Sequence, residues 1–499
     1  VIQLEVREAR TFFTGKRKEL RQMYHCLRVP DKNAEWRTRF LIRKFTGMFW
    51  LSRAERSSKI EQIQEQSKWI RFYELRSCSF ASGLLPRVES YLRRKKIPYE
   101  TQDHRRRNPL SDKNFKEIQF QGIEKRAEQS LAVKEALRCG RGILHYATNA
   151  GKSEIAAAII AEYLSQTKTV PKVLFLVHRA ALAMQTMERF QKHLTGIPVT
   201  MLGAGKKDVP TTGVIVATRQ TAEILREEHS QKFEKFMSSC DMVFVDEFHI
   251  NKAWQVTKLL DFCSAPLRFG LSGTIQEKNK VKMMHYMGMT GPIIAEIRNK
   301  ELVELGRSAR PSIRFVEVHS PKIAGEKFGA SYRFGVVENE IRNQLVVQET
   351  LRYVKREKKT LLTVARIAHG ILLKRMLEKQ MDLPCEFLSG STPLDVRKKV
   401  IQQFEKGRIA VLIASPIFDT GMDVPAIESW VNAAGGRGWE LVLQRLGRVL
   451  RRKEGENRVY ITDFIDLQNK YLLEHSLKRF QYYQREEIAD ISIHDGRKT

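Results

Sequence analysis

At 499 residues the chain exceeds one ordinary core and predicts two or three domains, each able to bury a sizeable apolar interior. Its 87 Lys+Arg against 57 Asp+Glu give a net charge of +30, which points to a polyanionic partner, nucleic acid first and an anionic membrane surface second. No apolar run reaches the ~18 residues of a membrane span, and charges stand where a signal peptide needs its apolar core. The six cysteines (Cys26, Cys78, Cys139, Cys240, Cys263, Cys385) stand far apart with no Cys-x-x-Cys pair, which argues against a zinc ribbon or disulfide framework and for a reducing compartment. A soluble, cytoplasmic protein without a membrane partner is expected, and Val1 in place of Met suggests a trimmed start.

Residues 1–112 are predicted to form a small basic α+β domain. Residues 1–110 hold 26 Lys+Arg and 12 Asp+Glu, a surplus of 14 that is nearly half the total. Aromatic and basic strands ("FLIRKFTGMFWL", "KWIRFYEL") precede one helix, "LLPRVESYLRRKKI", and "DHRRRNPLSDKN" reads as the linker leaving it. Trp36, Phe49, Trp50, Trp69 and Phe72 beside that charge suit stacking on unpaired bases; the core of a small sheet is the other reading of the same residues.

Residues 113–310 read as one α/β domain. Short runs apolar on both faces, "KVLFLV" (172–177), "GVIVAT" (213–218), "MVFVDE" (242–247) and "RFGLSG" (268–273), alternate with amphipathic stretches. That rhythm describes a parallel sheet covered by helices. It repeats over 311–499 after the polar stretch "ELGRSARPSIRF", in "KTLLTVA" (359–365), "CEFLSG" (385–390), "IAVLIAS" (409–415), "SWVNAA" (429–434) and "RVYITDFID" (458–466).

Between the apolar "GILHYA" and the helix "KSEIAAAIIAEYL" lies Gly151-Lys152-Ser153, the strand-loop-helix setting of a phosphate-binding loop. Backbone N–H groups at the helix start would cradle phosphate, Lys152 would reach the β and γ phosphates, and Ser153 would ligate Mg²⁺. Tyr146 and Asn149 stand where such loops usually carry glycine; Asn tolerates positive φ, so the loop can close. About ninety residues on, "MVFVDEFHI" delivers Asp246 and Glu247 to a strand end, one to hold Mg²⁺ and one to activate water, with His249 beyond them. "LSGT" (271–274) ends another buried strand. "QRLGRVLRR" returns Gln444, Arg448 and Arg451 to one helix face, with Gly447 inside the helix at a cost of roughly 1 kcal/mol against Ala.

In this order the segments resemble the motifs of superfamily 2 helicases of the DExH type, over about residues 120–480. "KRAEQSLAV" is similar to the adenine-reading Q motif, "ATNAGKS" to motif I, "LVHRAAL" to Ia, "ATRQT" to Ib, "DEFH" to II and "SGT" to III. "TVARIAHG" resembles motif IV, "ASPIFDTGMDVP" motif V and "QRLGRVLR" motif VI. Within the superfamily the UvsW-type helicases of T-even phages are similar in motifs I and VI, in the segment "WIRFYELRSCSFASGLLPRVESYLRRKKIPYE" and in "LLEHSLKRFQYYQRE". Phe248 departs from the Cys or Ala more usual in DExH motifs, and the first forty residues match no motif.

The resemblance implies two tandem RecA-like parallel-sheet domains plus the small N-terminal domain, with ATP bound between the two large ones. It implies catalytic roles for Lys152, Asp246, Glu247, Arg448 and Arg451, and Mg²⁺ on Ser153 and Asp246. Nucleotide contacts fall on Arg126, Gln129, Thr148, Asn149, Ala150, Gly151, Lys152 and Ser153, and on Gly421, Asp423 and Gln444. Nucleic-acid contacts fall on His178, Arg179, Thr218, Arg366 and Thr420. The implied activity is ATP-driven remodelling of branched or partly single-stranded DNA (forks, D-loops, four-way junctions) in recombination, repair or replication restart, in the host cytoplasm for a phage-encoded chain. An RNA helicase, a translocating subunit of a restriction or defence complex, and a non-catalytic nucleic-acid-binding protein with a degenerate motor fold remain the alternatives.

Overall fold

The computed structural model describes residues 1–31, 52, 68–113, 115, 126–202, 212–247, 253–275, 279–323, 328–416, 418, 424–453 and 455–497. The expected strand "FLIRKFTGMFWL", the aromatics Trp36, Phe49 and Trp50, and Phe248, His249, Thr420, Gly421 and Asp423 lie outside them. The chain divides into two compact units, one of Val1–His145 with Lys152–Glu296 and one of Tyr146–Gly151 with Ile297–Thr499. The phosphate loop therefore groups with the second unit while the helix it feeds belongs to the first.

The N-terminal segment contributes β1 (Ile2–Val6), β2 (Arg10–Thr14), β3 (Arg28–Pro30), β4 (Trp69–Arg71), β5 (Tyr73–Glu74), β6 (Ser79–Ala81) and β7 (Tyr99–Asp103). Five of these form a sheet in the order β5-β6-β2-β1-β7, and β3 pairs with β4. Period-2 alternation sets the faces: Ile2, Leu4 and Val6 are buried, and the helix Leu85–Arg94 covers them with Leu85, Val88 and Leu92. Trp69 lies under the Arg28 guanidinium and Phe72 packs edge-on against His285, so these two aromatics are engaged within the protein.

This small core continues into the helix Lys280–Thr290 of the first α/β domain, whose Met284 is one of its buried members. Gly83 sits so close to that helix that a Cβ there would lie 2.0 Å from the Met287 carbonyl oxygen. Arg106 adds a 3.0 Å ion pair to Asp241 and a hydrogen bond to the Cys240 carbonyl. The described part of residues 1–112 is thus packed into the first unit through an apolar seam that only a glycine permits.

The first α/β sheet is built from β8 (Arg141–Tyr146), β9 (Lys172–Val177), β10 (Val199–Leu202), β11 (Gly213–Thr218), β12 (Met242–Asp246), β13 (Leu267–Ser272) and β14 (Ile293–Ile297), in the order β10-β11-β9-β12-β13-β8-β14. The pairings from β10 across to β8 all run parallel. Parallel strands end together, so the segments leaving β8, β9, β11, β12 and β13 emerge at one edge, where such sheets bind ligands.

The second sheet contains β15 (Arg310–Val318), β16 (Thr360–Thr363), β17 (Cys385–Leu388), β18 (Val411–Ala414), β19 (Ser429–Asn432), β20 (Arg458–Asp466) and β21 (Asp490–Asp495), in the order β17-β18-β16-β19-β20-β15-β21. The polar stretch expected to separate the domains proves to hold the first six residues of β15, which pairs in parallel with β20 over all nine of its residues. Its charge is tolerated because Arg314 meets the buried Glu349 at 3.2 Å. Among the described residues no helix is long and apolar enough to cross a membrane, and all six cysteines are unbonded.

Replacing Gly83 by Ala forces the seam apart and should cost about 1–3 kcal/mol. Gly390, with nothing within 4 Å of its missing Cβ, is the control. Thermal melting should show Gly83→Ala clearly lower and Gly390→Ala unchanged; equal melting of the two would remove the seam from the account.

Candidate functional site

The site grows from β8. Its buried run Ile143 and Leu144 leads into Tyr146, and the chain then turns through Ala147–Gly151 into the helix Lys152–Thr167. The turn is closed by Ala150 N–H on the Ala147 carbonyl (3.1 Å) and by left-handed backbone at Asn149 (φ 76°) and Gly151 (φ 79°). Asn149 thus does what a glycine would do at that place. Its side chain does more, donating from Nδ2 to the Gly447 carbonyl at 2.6 Å.

Lys152 and Ser153 occupy the first turn of the helix, where unsatisfied N–H groups and the helix dipole favour an anion. The Lys152 ammonium stands 3.5 Å from Glu247 Oε1. Glu247 is delivered by β12, whose four buried residues bring Asp246 level with Leu271 of β13, itself level with Leu144 of β8. A left-handed residue at Glu247 (φ 45°) turns the chain immediately after the strand. Ser272 and Thr274 end β13 buried, with Thr274 N–H on Ser272 Oγ at 3.3 Å.

Burial and the neighbouring Glu247 carboxylate push the Asp246 carboxyl up to about 7, against the opposing pull of Lys152. A carboxyl held there by desolvation regains its charge when a cation approaches, and with the Ser153 hydroxyl it offers the hard oxygen donors that Mg²⁺ takes. The residues present therefore fit a magnesium nucleotide.

The remaining expected residues fall as follows. Arg126 precedes the helix Ala127–Cys139, in which Gln129 is 1% exposed. His178 and Arg179 follow β9, and Arg179 is exposed at the N-terminus of the helix Ala180–His193. Thr218 caps the helix Arg219–Glu228, its Oγ1 accepting from the Thr221 N–H at 3.1 Å, a structural duty that the sequence did not disclose. In the second unit Arg366 is exposed at the start of the helix Ile367–Glu378.

The helix Trp439–Val449 buries Val442, Leu443, Leu446 and Val449 and leaves Gln444 and Arg448 half-exposed on one face. Arg448 lies 5.9 Å from the centre of the Phe418 ring, and Arg451 follows the helix with its backbone bridged to Ser308. Gly447 faces Thr148: a Cβ on it would lie 2.4 Å from the Thr148 Cβ. The helix glycine, costly in isolation, is what lets the phosphate loop approach. Its presence was the sequence signal; its partner was not readable.

Residues 114–277 match the family model described as the res subunit of type III restriction enzymes, and residues 342–453 match the helicase conserved C-terminal domain. The chain is 25% identical over 418 residues to the ATP-dependent DNA helicase uvsW of Enterobacteria phage T4, covering 76% of this chain and 80% of that protein. It is 24% identical over 368 residues to the DNA 3'-5' translocase XPB2 of Sulfurisphaera tokodaii, covering 67% and 80%. In fold it is similar to a fragment of a putative HsdR subunit of a type I restriction enzyme from Vibrio vulnificus, with a TM-score of 0.54 at 17% identity over 76% of this chain and 70% of that one.

Asp246 also yields a prediction for the protein without nucleotide. Because the folded state holds this proton more tightly than the unfolded chain, whose carboxyl titrates near 3.9, the group costs stability above about pH 7 and the cost vanishes as pH falls towards 4. Asp246→Asn should therefore melt higher than the parent at pH 8, with a gap that narrows by pH 5. A gap independent of pH, or a lower melting temperature at pH 8, contradicts the assignment.

Proposed function

We infer that this chain, a member of the superfamily 2 helicases, is a DNA helicase that spends ATP hydrolysis on moving along and remodelling branched DNA. The observation that carries the reading is the packing of the phosphate loop on the arginine-bearing helix through Thr148, Asn149 and Gly447. The branched preference rests on the likeness to UvsW-type helicases and on the surplus of positive charge in the first 110 residues. Forks, D-loops and four-way junctions, in recombination, repair or replication restart, are the substrates this proposes.

In this mechanism Lys152 and the backbone of Thr148–Ser153 bind the nucleotide phosphates, and Ser153 and Asp246 would hold Mg²⁺, which would supply neutralising charge at the phosphates. Glu247 orients the attacking water and takes its proton; its 3.5 Å distance from Lys152 puts it at the phosphate end of the site. Arg448 and Arg451 stabilise charge developing on the transferred phosphoryl group, and Gln444 helps place it. Arg126 and Gln129 read adenine, and Gly421 and Asp423 sense the nucleotide. His178, Arg179, Thr218, Arg366 and Thr420 contact the nucleic-acid backbone. The exposed helix-start positions of Arg179 and Arg366 suit phosphate contact, which fixes register without reading sequence.

The test is steady-state ATPase of the whole chain, alone and with single-stranded DNA, forked DNA, a four-way junction and matched RNA at one salt concentration. The greatest stimulation is expected from branched DNA, and Glu247→Gln should lower kcat on the order of 100-fold or more while still binding ATP. Greater stimulation by RNA, or a Glu247→Gln variant hydrolysing at the parent rate, would contradict the reading.

A further inference from the structure

The loop Ala433–Gly438 joins β19 to the helix that carries Gln444 and Arg448. Two of its residues, Gly435 and Gly436, have left-handed backbone (φ 60° and 95°), the conformation that leaves a chain least self-determined. Yet four of its carbonyl oxygens each accept a hydrogen bond from a side chain anchored elsewhere. Arg342 Nη1 donates to Ala433 (3.0 Å), the Tyr332 hydroxyl to Ala434 (2.8 Å), Arg479 Nη1 to Gly436 (2.8 Å) and the Tyr482 hydroxyl to Arg437 (3.1 Å). The donors come from three helices, Phe328–Tyr332, Glu340–Val354 and Lys470–Glu486.

The two arginines are themselves immobilised. Arg342 is 0% exposed and pairs through Nε with Asp466 at 2.7 Å; Arg479 is 1% exposed and grips Asp463 through Nε and Nη2 at 2.9–3.1 Å. Both carboxylates lie in the last four residues of β20, and Asp463 is further fixed by Asn432 Nδ2 and the Tyr483 hydroxyl. A buried ion pair is a poor source of net stability, because desolvation offsets its attraction. What a planar guanidinium provides is direction: with one edge spent on the carboxylate, the remaining N–H is aimed along a fixed line. Here those lines end on the loop.

We propose that Tyr332, Arg342, Arg479 and Tyr482 form a carbonyl clamp that sets the loop Ala433–Gly438 and so aims Arg448 and Arg451 for ATP hydrolysis. They are positioning residues, and their role rests on the reading of Arg448 and Arg451 as stabilisers of the transferring phosphoryl group. The two tyrosines give the cleanest probe, since Phe removes one hydroxyl and leaves the ring packing in place.

The experiment is ATPase of the full chain with saturating DNA for Tyr332→Phe, Tyr482→Phe, the pair, Arg448→Lys, and the pair combined with Arg448→Lys, each with its melting temperature. The pair should lose about tenfold in kcat, from two hydrogen bonds, with KM for ATP nearly unchanged and the melting temperature lowered by no more than a few degrees. Tyr482→Phe alone, at the exposed hydroxyl, should lose about threefold and serves if the pair fails to fold. Combined with Arg448→Lys, which already lacks the directional fork, the pair should cost clearly less than its tenfold, only the share that passes through Arg451. Parent-like kcat in the tyrosine variants beside a defective Arg448→Lys overturns the clamp, as does a full further loss in the combined variant. A parent-like kcat for Arg448→Lys itself instead overturns the reading of Arg448.

Discussion

A single close contact governs the arrangement: side chains of the phosphate loop meet the arginine-bearing helix where Gly447 has no side chain. Thr148 fills the space a Cβ would take, and Asn149 reaches over it to the Gly447 carbonyl. The loop Ala147–Gly151 and the helix that carries Arg448 are thereby held as close neighbours, with a short hydrogen bond to fix their register. Glycine inside a helix costs conformational entropy; here that cost is offset by the close approach it permits. The same contact explains the departure at Asn149, since the residue keeps a glycine-like turn and adds a bond glycine lacks.

Charge inside this protein sets direction more than it adds stability. Asp246 is pushed up to about 7 by its burial and by Glu247, a cost carried in the nucleotide-free state that fits a residue waiting for a cation. Arg342 and Arg479 are buried against Asp466 and Asp463 and spend their remaining donors on the loop before the Trp439–Val449 helix. Arg314 against Glu349 allows a charged sequence to form a strand flanked on both sides by others. In each case an apolar pair of similar size could fill the volume; none could aim a donor or hold a metal.

Much of this was legible in the sequence because parallel strands buried on both faces leave continuous apolar runs. The runs at 172–177, 213–218 and 458–466 coincide with β9, β11 and β20, and those ending in Asp246 and Ser272 lead to the carboxylates and to the Ser-Gly-Thr turn. β15 was hidden because Arg310, Ser312 and Arg314 alternate with its buried residues and read as a polar seam. The N-terminal segment was readable as basic and mixed, whereas its packing on the helix Lys280–Thr290 was not, since Gly83 and Met287 are two hundred residues apart in sequence. The clamp was equally invisible: its four donors and four acceptors follow no local spacing, and only the folded chain brings Tyr332 and Tyr482 to the same loop.

The central claim, that loop and helix work as one piece through the Thr148–Gly447 contact, is tested most directly by making the contact fail and then restoring its space. Steady-state ATPase with DNA would be compared for Gly447→Ala, Thr148→Gly and the two together. Gly447→Ala, which displaces the loop, should lose on the order of 10- to 100-fold in kcat. Removing the Thr148 side chain in the same molecule should recover a substantial part of that loss, because the added methyl then has room. A double variant no better than Gly447→Ala, or worse than both single variants, would contradict the account.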